Sequence, residues 1–180
     1  MRQMAHAYVR LMDALSRWMG LGAAWALFAA CLISAGAATA RYAFSMGSNA
    51  WLEVQWYLFG MAVFMGAPLL LRLNEHVRVD VLYGGRQPRT KAWIDAVGLA
   101  LVLIPLCLII AWLAWPYALD AYQQHEMSPS AGGLVRWPIK LAIPAGFLML
   151  ALQGLAELIR RINYLRGELD LDLHYERPQQ

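Results

Sequence analysis

Four long stretches of this chain lack ionisable side chains altogether: 18–40, 54–71, 96–119 and 141–156 hold no Asp, Glu, Lys, Arg or His. Charge is scarce throughout. It makes up 15% of residues, against roughly 25% in a soluble domain, while hydrophobic residues reach 60% against about 45–50%. Cysteine is nearly absent as well. Cys31 and Cys107 both fall in uncharged stretches, where they read as small apolar packing residues and not as a disulfide or metal pair. No HExxH, paired-cysteine or Gly-rich phosphate-loop motif is present, which argues against zinc hydrolases, zinc fingers and nucleotide-binding folds. The histidines His6, His76, His125 and His174 all lie outside the uncharged stretches, so none is placed to be an axial ligand of a membrane haem.

What fills the uncharged stretches is apolar. Crossing the hydrocarbon core takes about 20 such residues, with a range of roughly 17–25. Three of the stretches meet this directly, and the fourth does so by extending through Trp137 and Pro138 at one end and Leu158 and Ile159 at the other. The expected fold is an all-α integral membrane protein with four transmembrane helices, at about 18–40, 53–71, 94–119 and 138–159, forming one domain over 18–159. Small residues over 34–40 resemble a signal-peptide cleavage site. The apolar run before them is longer than the roughly 7–15 residues of a signal core, so 18–40 reads as a retained helix.

The basic residues are unevenly shared between the two sides. Twelve of fifteen precede span one, lie between spans two and three, or follow span four; only Arg41, Arg136 and Lys140 lie on the other side. The positive-inside rule then puts both termini and the central loop in the cytoplasm. These arginines and lysines read as topology determinants and headgroup contacts, not as a nucleic-acid surface. Trp51, Trp56, Trp112, Trp115, Tyr117, Tyr122 and Trp137 fall near the outer helix ends, and Trp18, Trp93 and Tyr164 near the inner ones, as interfacial rings do.

Residues 1–17 place Met4, Tyr8, Leu11, Met12 and Leu15 on one face and His6, Arg10, Asp13 and Arg17 on another. That pattern predicts an amphipathic interfacial helix, the alternative being a plain lead-in to span one. Span one carries Gly22, Ala26, Ala30, Ser34 and Ala38 at an unbroken spacing of four, a stripe that allows close helix approach. Pro68, Pro105, Pro116 and Pro144 sit inside spans, where membrane helices tolerate bends. Residues 160–180 read as a cytoplasmic tail, in which the alternating apolar and acidic run 169–174 is too short to stand as a strand and reads as unstructured. There is no internal repeat of the kind found in self-sufficient transporters.

The densest charge lies directly after span two, where Arg72, Glu75, His76, Arg78 and Asp80 fall within nine residues. Glu75, His76 and Asp80 have the chemistry to bind a metal or move a proton. Arg72 and Arg78 supply counter-charges, however, and no ionisable residue at the midplane leads to the cluster. The reading favoured is a salt-bridged turn that caps the bundle or grips a partner. Gln153, the amide within the last span, reads as an interhelical hydrogen-bonding group.

Several motifs, in order along the chain, carry a family resemblance. They are Trp51 and Glu53 at the start of span two, His76-Val77-Arg78-Val79-Asp80 after it, and Trp137-Pro138-Ile139-Lys140 running through Pro144 and Gly146 to Gln153-Gly154 and Ala156-Glu157. In these the chain resembles the small membrane subunit of tripartite ATP-independent periplasmic (TRAP) transporters, the DctQ-like proteins, over about 10–161. The resemblance implies a bacterial inner-membrane scaffold that works beside a large polytopic subunit carrying the substrate and cation sites. It also implies a periplasmic solute-binding protein, and uptake of a small organic solute, commonly a carboxylate, driven by an ion gradient. No enzyme activity, catalytic residue, metal or cofactor is expected. Trp51, Glu53, Arg72, Glu75, His76, Arg78, Asp80, Trp137, Lys140, Pro144 and Gln153 are candidate subunit-interface or structural residues, while Arg41, Glu126 and Arg136 are candidates for docking the periplasmic protein. Two rival readings are a membrane anchor of a redox enzyme and an autonomous small transporter.

Overall fold

A computed structural model describes residues 2–74 and 86–168. Within them the chain forms four helices long and apolar enough to cross a membrane and, apart from one isolated bridge, no β-structure. Helix α1 is Arg2–Phe44, α2 is Asn49–Leu73, α3 is Pro88–Gln123 and α4 is Trp137–Leu165. The ends follow from local chemistry. Ser48 caps α2 by accepting the Ala50 N–H, and Asn74 closes it in the left-handed conformation that Asn tolerates. Pro88 starts α3 at a first-turn position that needs no N–H donor.

Inside α3 the residues Leu99–Leu103 form a π turn, with the Ile104 N–H bonded to the Leu99 carbonyl. Pro105 follows directly and has no N–H to offer the preceding turn. A widened turn just before a proline relieves the clash with the carbonyl four residues back.

At 43 residues α1 is about 65 Å long, twice the hydrocarbon thickness. The amphipathic segment, from Arg2 on, and the first span are therefore one unbroken helix. Tyr8 and Ser16 lie about 12 Å apart along α1, yet they bond to the neighbouring residues Leu152 and Gln153 of α4. The first turns of α1 thus cross α4 and do not run along it.

Helix α4 is the hub. It touches the other three, and α1 also lies along α2. Close approach depends on glycine. A Cβ on Gly146 of α4 would sit 2.6 Å from the Phe64 Cβ of α2, and one on Gly20 of α1 would collide with Leu69. In span one's small-residue stripe, Gly22 faces Met65 of α2 and Ala30 is buried, while Ser34 and Ala38 stay exposed. The internal line of α1 is Ser16, Ala23 and Ala30, each buried and seven residues apart. Large apolar side chains cover the outside instead, among them Trp25, Leu101 and Trp112, as suits a lipid-facing surface.

Candidate functional site

Polar chemistry collects at the two ends of the bundle. The proximal end holds the start of α1, the end of α2, the start of α3 and the end of α4; the distal end holds the opposite helix ends. The separation is energetic in origin, since a charged side chain at the bilayer centre costs at least about 2.5–3.5 kcal/mol on insertion scales.

At the proximal end, α4 presents Gln153, Glu157, Arg160 and Arg161 at helical spacings of three and four, and the other helices meet them. The Ser16 hydroxyl of α1 lies 2.6 Å from Gln153 Oε1 and 2.8 Å from the Met12 carbonyl, sharing its one proton between them. Gln153 Nε2 donates to Glu157 Oε1 at 3.3 Å. Glu157 also accepts from Arg160 Nη1, and from Arg161 Nη1 at 2.8 Å. Arg160 Nη2 reaches across to Asp13 of α1, and Arg161 Nε to Asp95 of α3 at 3.3 Å. Arg72 of α2 closes the circuit, with its Nε 3.3 Å from Asp13 Oδ1; the pair is ionic, because its angles do not make a hydrogen bond.

Three arginines thus face three carboxylates, with at least one residue from every helix. Glu157 and Gln153 are almost wholly buried, at 2% and 1% exposure. A buried charge is tolerable only when paired and hydrogen-bonded. This network balances its charge within itself and leaves no free ligand set. Among the described residues no three of His, Cys, Asp and Glu converge to hold a metal ion.

At the distal end the connection 124–136 folds back on itself. Ser128 N–H bonds to the Leu134 carbonyl and Arg136 N–H to the Glu126 carbonyl, with Gly132 turning the chain at φ +72°. Glu53, buried in the first turns of α2, holds this loop: its Oε2 accepts the Leu134 N–H at 2.6 Å and its Oε1 the Ser128 hydroxyl. The Tyr57 hydroxyl donates to the Val135 carbonyl at 3.0 Å. Lys140 pairs with Glu126 and lies 3.9 Å over the Tyr117 ring, and Tyr122 meets Trp137 edge-on at 5.5 Å.

The sequence candidates divide accordingly. Arg72 and Gln153 belong to the proximal network, and Glu53, Lys140 and Trp137 to the distal clasp. Pro144 is buried inside α4. Of the outer-side candidates, Glu126 is paired with Lys140 of α4 and Arg136 is engaged within the loop, its Nη2 lying 3.5 Å from Ser128 Oγ. Arg41 and Trp51 line a small cavity between the distal ends of α1 and α2. Glu75, His76, Arg78 and Asp80 lie outside the described residues. Sequence reasoning did not gather Asp13, Ser16, Asp95, Glu157, Arg160 and Arg161 into one site. The signal was there in part, because Gln153, Glu157 and Arg161 repeat every four residues on one face of α4.

A family model described as Tripartite ATP-independent periplasmic transporters, DctQ component, matches residues 30–163. No curated protein and no solved structure matches the chain.

Proposed function

This chain belongs to the DctQ component family of the tripartite ATP-independent periplasmic transporters, and from that premise we propose that it is the static scaffold of such a transporter. It braces a separate large polytopic subunit, which carries the substrate and cation sites. A periplasmic solute-binding protein delivers a small organic solute, a carboxylate by preference, and an ion gradient drives uptake. Both termini and the proximal network face the cytoplasm of a bacterial inner membrane; the distal loop faces the periplasm and offers the binding protein a firm surface, and Arg41, in the cavity between the distal ends of α1 and α2, offers it a charge.

One observation carries the reading. The proximal network ties all four helices together by ion pairs that balance internally. A subunit that moved solute by itself would need polar groups at the midplane, and the stretches between the two ends contain no charge. A bundle fastened at one end and clasped at the other is suited to resist motion, so that a neighbouring subunit moves against it. The distribution of arginines and lysines supports the orientation.

Co-purification tests this directly. Membranes from the native host are cross-linked, extracted in mild detergent and captured through a tag on this chain. A large polytopic membrane protein is expected in roughly equal amount. Capture of this chain without such a partner overturns the scaffold assignment, and solute uptake by this chain alone in liposomes overturns it in favour of an autonomous carrier.

A further inference from the structure

A second basic feature at the proximal end adjoins the fastening network and shares Asp13 and Arg72 with it. Arg10, Asp13, Ala14, Arg17 and Trp18 of α1 and Arg72 at the end of α2 line a cavity of about 340 Å³. Asp13 lies between Arg10 and Arg17 in sequence and at first sight neutralises them. Its oxygens, however, face Arg72 and Arg160. Among the described residues the three network arginines take up Asp13, Asp95 and Glu157, which leaves Arg10 and Arg17 outside the network. Neither pairs with a carboxylate among the described residues.

Below the cavity the surface turns apolar without a break. Trp18 lines the cavity and is 71% exposed, and Leu21, Trp25 and Phe28 continue the same face of α1 at spacings of three and four, all exposed. Trp25 and Phe28 stack edge-on at 5.8 Å, which stiffens this face. Guanidinium groups above an aromatic and aliphatic track match one ligand shape, a phosphate headgroup joined to an acyl chain. Arginine binds phosphate oxygens with a paired N–H geometry, and basic pockets between membrane helices attract anionic headgroups.

We propose that this cavity is a binding site for an anionic phospholipid. The phosphate is held by Arg10 and Arg17, with Arg72 at the back of the cavity, and one chain lies along Trp18, Leu21 and Trp25. The site is independent of the scaffold role, since it needs only the membrane and the fold of α1 against α2.

The test uses the full chain in nanodiscs of phosphatidylcholine doped with either dibrominated phosphatidylglycerol or dibrominated phosphatidylcholine. Bromine quenches tryptophan at short range, and subtracting a Trp18→Phe sample isolates the Trp18 signal. Phosphatidylglycerol is expected to quench Trp18 several-fold more effectively at equal mole fraction. The Arg10→Gln/Arg17→Gln variant is expected to lose that preference, and each single variant is expected to lose part of it. An Arg86→Gln/Arg89→Gln variant, altered at two exposed arginines at the start of α3, is expected to retain it. Equal quenching by the two lipids overturns the proposal. An equal loss in the Arg86/Arg89 variant also overturns it, because that outcome is general surface attraction. A third arm separates the two sources of phosphate: protection of Arg10 and Arg17 from phenylglyoxal by inorganic phosphate but not by phosphatidylglycerol in the discs shows a site for free phosphate and overturns the lipid assignment.

Discussion

Glu53 shows how much a single side chain can hold. Its two carboxylate oxygens take two donors from the distal loop, one of them the backbone N–H of Leu134 across 81 positions of sequence. Replacing it with glutamine keeps the shape but exchanges one charged acceptor for an amide that donates. One loop donor then loses its partner, at a cost of about 1–3 kcal/mol. In Glu53→Gln, amide exchange at Leu134 and proteolysis across 124–136 are expected to accelerate roughly tenfold or more, with the helices unaffected. An unchanged exchange rate at Leu134 counts decisively against the clasp. In the sequence, Glu53 was visible only as part of a motif with Trp51. One of its partners is a backbone group, which has no signature in side-chain pattern, and the other, Ser128, lies 75 positions away, so the role was not legible there. Arg160 and Arg161 were misleading in another way. They count toward the positive side of the membrane, and nothing local reveals that Asp13, 147 residues away, and Asp95 take up their charge.

At the scale of the element, legibility was high for a physical reason. Hydrocarbon thickness selects the length of an apolar run, so the presence of four membrane-crossing helices follows from the uncharged stretches alone. Which faces meet is harder to read, because lipid and protein interior are equally apolar. The small-residue stripe at 22, 26, 30, 34 and 38 was a fair guide to only half its length; the buried line runs through Ser16, Ala23 and Ala30. The π turn was equally hidden, although Pro105 marks its position in retrospect. Gly20 gives the helix pair a clear test. It lies against Leu69 with no room for a side chain, so Gly20→Leu forces α1 away from α2. Overpacking of this kind costs about 1–3 kcal/mol. The variant is expected to unfold at lower denaturant in detergent, whereas Gly36→Leu, at a position with open space beside it, is expected to match the parent. Equal loss in both would mean that added bulk anywhere on α1, and not the α1–α2 contact, sets the stability, since helix propensity alone favours leucine over glycine at either position.

For the whole molecule the issue is whether the fastening network serves only assembly or also takes part in transport. Glu157 separates the two. It is the acceptor shared by Arg160, Arg161 and Gln153, and it is buried on all sides. Glu157→Gln leaves the buried Arg161 and the half-buried Arg160 with one carboxylate fewer, and breaking a buried pair from one side costs about 3–5 kcal/mol. Because α4 is the hub, that loss loosens α1 and α3 together and not one helix alone. On the proposed scaffold reading, a bundle weakened in this way makes fewer complexes, but each complex that does form retains the substrate and ion sites proposed for the partner. Uptake in reconstituted vesicles is therefore expected to fall in proportion to assembled complex, with turnover per complex unchanged. The measurement pairs initial uptake rates with quantification of co-captured partner in the same vesicles. If Glu157→Gln assembled normally while turnover dropped, the network would belong to the moving machinery. Its internal charge balance would then be a property of one state of a cycle, rather than the reason the bundle stays still.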